Sequence, residues 1–66
     1  MNNGALLASP ATAMMLLECG RTRLHELLKA GELESFRDGH ARRITMRSIR
    51  AYVDRKLQQA KEKKAA

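Results

Sequence analysis

Apolar residues recur along the chain in three helix-like clusters, and a stretch with a different rhythm lies before the third. Ala13, Leu16 and Leu17, with Met14 or Met15 beside them, set the first helical spacing. Ser9-Pro10 predicts where that helix starts, because a Ser side chain accepts from free first-turn amides and Pro loses no hydrogen bond there. Glu18-Cys19-Gly20 ends it early. A second helix is expected from about Gly20 to Ala30, with Leu24, Leu27 and Leu28 as its inward stripe and Gly31 just past its end. A third is expected from about Met46 to Gln59, capped by Thr45 and carrying Ile49, Tyr52, Val53 and Leu57 on one face.

Between Leu33 and Thr45 the helical period is lost. Phe36 to Ile44 reads as a β-hairpin, with Asp38-Gly39 as the turn signal. Phe36 and Ile44 are its large apolar residues and are expected to share the buried face. That pairing favours a three-residue loop, Gly39-His40-Ala41, over a two-residue one. Leu6 and Leu7, in a short arm over residues 1–8, are available to close the bottom of the core. Residues 60–66 have no apolar anchor and are expected to fray as a basic tail, which leaves 9–59 as the domain. The fold class predicted is mainly α with a small β-hairpin.

At 66 residues the chain supports one domain with a small core. Cys19 is the only cysteine, so an intrachain disulfide is excluded, and with His25 and His40 it has no metal-ligand spacing. Gly4 to Ala8 lacks the basic lead of a signal peptide, and no apolar run reaches the length of a membrane span. A cytoplasmic, nucleoid-associated protein with no membrane partner is expected. There is no nucleophile paired with a base, no carboxylate pair on an apolar wall and no Gly-rich phosphate loop, so neither an enzyme nor a cofactor is expected.

Charge sharpens the picture. The formal net charge is +6, and all 13 Lys and Arg residues lie from Arg21 onward, against six carboxylates there. A neutral head followed by a basic body suits a polyanionic partner better than simple solubility. With Leu24, Leu27 and Leu28 inward, about 100° per residue turns Thr22, His25, Glu26 and Lys29 outward and puts Arg21 and Arg23 on the flanks. Hydrogen-bonding groups flanked by cations suit base edges and phosphates of a major groove, although the same face could simply be solvated. Arg37, His40, Arg42 and Arg43 crowd the hairpin, where like charges repel across strands, which favours contact with DNA over a stabilising role. Arg47 and Arg50 oppose the dipole at the start of the third helix and point to phosphate contacts. Arg55, Lys56, Lys61, Lys63 and Lys64 form a basic end that fits a solvated helix terminus equally well.

Ser9-Pro10 through Leu16-Leu17-Glu18-Cys19-Gly20, then Arg21 to Lys29 and Gly31-Glu32-Leu33, resembles the excisionase-type branch of the MerR-like winged helix-turn-helix superfamily. Phe36-Arg37 through Arg42-Arg43-Ile44 resembles the family's wing, and Ser48-Ile49-Arg50-Ala51-Tyr52-Val53 its closing helix, so the likeness spans roughly residues 9–57. Glu18 stands where that pattern usually has Gly, and Gly20 where it usually has a Ser cap.

The resemblance implies a recognition helix in the major groove and an Arg-bearing wing on the minor groove or backbone. It also implies an architectural role in site-specific recombination beside a phage-type integrase, with self-association on DNA and no small-molecule effector. The alternatives are a small transcriptional regulator using the same surface, a phage DNA-packaging adaptor, and a protein-interaction module.

Overall fold

The computed structural model describes residues 5–65, with side chains as far as Glu62. Expectations for Met1 to Gly4, and for the side chains of Lys63 and Lys64, lie outside the described residues. The elements are β1 (Leu7–Ala8), α1 (Pro10–Leu17), α2 (Arg21–Lys29), β2 (Ser35–Asp38), β3 (Ala41–Thr45) and α3 (Met46–Ala65). The fold is mainly helical, with a three-stranded antiparallel sheet in the order β1-β3-β2.

The helix boundaries follow local chemistry. Ser9 caps α1, its hydroxyl accepting from the Thr12 amide at 3.1 Å, and Pro10 occupies the first turn. Gly31, at φ +79°, closes α2: its amide donates to the Leu28 carbonyl at 3.2 Å and that of Glu32 to Leu27 at 2.9 Å. Thr45 caps α3 by accepting from the Ser48 amide at 3.3 Å.

Glu18 ends α1 at φ 52° and ψ 49°, in the left-handed region, while the Cys19 amide donates to the Met14 carbonyl at 3.0 Å. An L-residue there costs about 1 kcal/mol relative to Gly, and the exposed Glu18 side chain has no packing to lose. Glu18→Gly is therefore expected to stabilise the fold by about 0.5–1 kcal/mol, seen as a rise of roughly 2–8 °C in Tm. An unchanged or lower Tm would contradict the strain.

The core comprises Ala8, Ala13, Leu24, Leu27, Leu33, Ile44 and Ile49, with Met14, Leu17, Cys19, Leu28, Met46 and Tyr52 packed around it. β3 lies at its centre. Ile44 pairs with Ser35 on one side and Ala8 on the other, and α1 and α3 both pack on this strand.

Several expectations need correction. The hairpin register is Ser35↔Ile44, Phe36↔Arg43, Arg37↔Arg42 and Asp38↔Ala41, so the loop is the two-residue Gly39-His40 and not the three-residue one. Gly39 at φ +67° supplies the left-handed first position that such a turn demands. Because side chains alternate, this one-residue shift turns Phe36 away from Ile44 and leaves it 47% exposed.

The arm does not close the core with Leu6 and Leu7. It adds a strand to the sheet, anchored by the Met46 amide donating to the Leu6 carbonyl at 2.8 Å, and the residue it buries is Ala8. Leu16, Val53 and Leu57 are exposed, and line an open groove between α1 and α3 in place of a closed seam. The α3 helix reaches Ala65 without fraying at Gln59, in keeping with a sequence after that point made almost wholly of strong helix formers.

The loop between α2 and β2 is fastened to α3 by charge. Arg55 donates to Glu32, at 2.7 Å to the carboxylate and 3.1 Å to the carbonyl, and Arg47 makes a two-pronged contact with Glu34 at 3.1 and 3.2 Å. Arg47, and after it the Thr45 hydroxyl, hold the Glu34 carboxyl below its ordinary value. A carboxyl depressed in this way contributes stability above its unfolded value and loses it as pH falls through the folded one, so this fastening weakens only in acid. Among the described residues no helix is long and apolar enough to cross a membrane.

Candidate nucleic-acid interface

The amphipathic spacing of α2 buries Leu24 and Leu27, half-buries Leu28, and leaves Arg21, Thr22, Arg23, His25, Glu26 and Lys29 exposed. This is the outward face expected from the sequence. Gly20 provides no side-chain cap, so the first-turn amides of α2 keep their donors free beside Arg21.

The hairpin divides its cations between two faces. Arg42 stands two residues from Ile44 and therefore on the same side of β3, where it faces Arg37 across the strand pair. Arg43 lies on the other side, opposite Phe36, and approaches Asp38 at 3.8 Å. His40 sits at the tip of the turn.

A cleft of about 320 Å³ opens between α2 and the hairpin, lined by His25, Leu28, Lys29, Ser35 and Arg42. The structure thus brings together residues expected at two separate sites, one on a helix and one on a hairpin. Ser35 was not anticipated. Its hydroxyl accepts from Arg42 Nη1 at 2.8 Å, which fixes the guanidinium over the cleft. The signal for it was the two-residue turn, since only that register sets Ser35 opposite Ile44 and beside Arg42.

Ion pairing separates the remaining cations. Arg23 donates to Glu26 at 3.3 Å and to the Tyr52 hydroxyl at 3.4 Å, so it ties α2 to α3 and occupies Glu26. Those hydrogen bonds, the one to Tyr52 foremost, raise the Arg23 pKa further. Tyr52 is half-buried, and Arg55 and Lys56 lie over its ring at 5.9 and 5.7 Å. Arg43, Arg47 and Arg55 also have carboxylate partners. Among the described residues, Arg21, Lys29, Arg37, Arg42, Arg50, Lys56 and Lys61 make no salt bridge with a carboxylate.

Arg47 and Arg50 do not join the cleft. They line a separate groove with Ala5, Leu6, Leu7, Thr45 and Met46, and Arg47 is engaged with Glu34.

The resulting surface has one exposed helix face and one hairpin face meeting at a cleft that carries positive charge and no carboxylate. Such a surface can hold an extended polyanion in a fixed register. No protein-family model, curated protein or solved structure matched the chain in the comparisons made with each.

Proposed function

We propose that the chain binds double-stranded DNA as a winged helix-turn-helix. In this reading α2 enters the major groove and the β2–β3 hairpin acts as the wing on the minor groove or backbone. The observation that carries it is the cleft where Lys29 and His25 of α2 meet Arg42 of β3 with no carboxylate among its lining residues. A domain using these cations for its own stability would pair them, as Arg47 and Arg55 are paired. Arg21 and the uncapped amides of α2 add donors where a backbone phosphate would pass. Thr22 offers a hydroxyl to base edges, while Glu26 is already committed to Arg23.

The particular task we propose is that of an excisionase-like architectural factor in site-specific recombination, on the strength of the sequence resemblance. One nine-residue helix reads only a few base pairs, so useful specificity calls for repeated sites and association of neighbouring copies on DNA.

The test is duplex binding across a salt series, followed by an excision assay with a phage-type integrase. Binding should weaken with salt at a log–log slope of about −3 to −5, reflecting several released counterions. A slope near zero would remove the DNA reading. Repression at a single operator with no stimulation of excision would assign the same surface to a transcriptional regulator.

A further inference from the structure

We infer that the cleft between α2 and the hairpin seats one phosphodiester of the bound duplex, gripped by Lys29, Arg42 and His25, and that His25 takes up a proton as the phosphate enters. The inference rests on the DNA-binding reading and assigns this cleft its ligand and its pH response.

The groups around the cleft determine the chemistry. Lys29 and His25 are four residues apart on α2 and so lie one helical turn apart on the same face. Arg42 faces them from β3 with one guanidinium nitrogen held by the Ser35 hydroxyl, which leaves the rest of its donor fork free. Leu28 supplies an apolar wall that limits water on one side. A phosphodiester spreads one negative charge over two non-bridging oxygens, more acceptor capacity than a single ammonium satisfies, so donors converging from two elements suit it.

The charges facing His25 are of one sign. Lys29 and Arg21 flank it along α2, Arg42 faces it from β3, and Arg37 stands across from Arg42 on β2. Glu26, its neighbour in the chain, is drawn to Arg23. A phosphate seated in the cleft brings a negative charge up to the imidazole, which then accepts a proton from solvent and offers a second N–H donor. Histidine is the side chain whose ordinary range brings this exchange near neutral pH. Affinity is therefore highest in mild acid and falls as pH rises through that range.

Three proteins test this at fixed, low ionic strength on one mixed-sequence duplex: the unchanged chain, His25→Gln and His40→Gln. Folding of each is checked by circular dichroism. The unchanged chain should bind about fivefold tighter near pH 6 than near pH 8, as one linked proton allows. His25→Gln should bring this ratio close to 1, and His40→Gln, which alters the wing tip outside the cleft, should lower it much less. The N-terminal amine and Cys19 are common to all three and cancel in the comparison.

Ring-proton NMR of His25 supplies the second arm, with its titration moving to higher pH on adding duplex but not on adding inorganic phosphate at matched ionic strength. Equal pH ratios in the unchanged chain and His25→Gln, with binding intact, would overturn the inference and leave DNA binding standing. An equal NMR shift with inorganic phosphate would make the cleft a free-anion site and overturn its assignment to the duplex. Failure of all three proteins to bind the duplex would overturn the DNA-binding reading, and this inference with it.

Discussion

Ile44→Ala should abolish cooperative folding. Ile44 is fully buried, at 0% exposure, on the central strand and within the cluster formed by Leu24, Leu27, Leu33 and Ile49. It also sits where the sheet is paired on both sides, with Ala8 and with Ser35. Removing a buried Ile side chain to Ala costs about 2–5 kcal/mol, because transfer energy is lost and a cavity remains. A domain of this size without a disulfide or metal has roughly 3–5 kcal/mol in total, so the substitution consumes most or all of it.

Phe36→Ala is the matched contrast. The Phe36 ring lies on the opposite sheet face and is half exposed, so its loss should cost less than about 1 kcal/mol. Thermal melts followed by circular dichroism decide the matter. Comparable destabilisation of the two variants would mean that Phe36 and Ile44 share a face, contrary to the register described.

The second large effect is expected in DNA binding. The double variant Lys29→Ala/Arg42→Ala removes two cations that line the cleft and make no salt bridge with a carboxylate among the described residues. Charge-assisted contacts of this kind are worth about 1.5–3 kcal/mol each, so duplex affinity should fall by at least about 100-fold at low salt. The log–log salt slope should flatten by about 0.9, since both side chains grip one phosphate and each phosphate contact contributes about 0.9.

Arg47→Ala/Arg55→Ala removes the same formal charge from cations already occupied by Glu34 and Glu32. Its effect on affinity should stay within about threefold, with the slope nearly unchanged, because these side chains are spent on fastening a loop. Equal losses in the two double variants would show that net charge, rather than the arrangement at the cleft, governs binding.

The features legible in the sequence are those determined within a few residues. Ser9-Pro10, Gly31 and Thr45 mark helix ends because a cap is a contact between residues three to five positions apart. The outward face of α2 was legible for the same reason, since the positions of Leu24 and Leu27 determine where His25 and Lys29 point.

Register was not legible. Two large apolar residues in a short hairpin invite pairing, yet the Gly39-His40 turn outweighs that preference and Phe36 remains outside. β1 was missed because Leu7-Ala8 carries no strand signal of its own and becomes a strand only by pairing with Thr45 and Ile44, far along the chain. At the candidate site, Ser35 depended on register, and the engagement of Arg47 depended on Glu34, 13 residues away. Periodicity does not report on pairings at that range.

The small strand at the start of the chain has one further consequence. By hydrogen-bonding Thr45 and Ile44, Leu7-Ala8 covers the flank of β3 that faces away from β2. Without it, β3 would present naked backbone donors and acceptors in line with the apolar interior, an open template for an intruding strand from another molecule. Leu7 and Ala8 are thus a selvedge to β3, binding off the flank that would otherwise stand open.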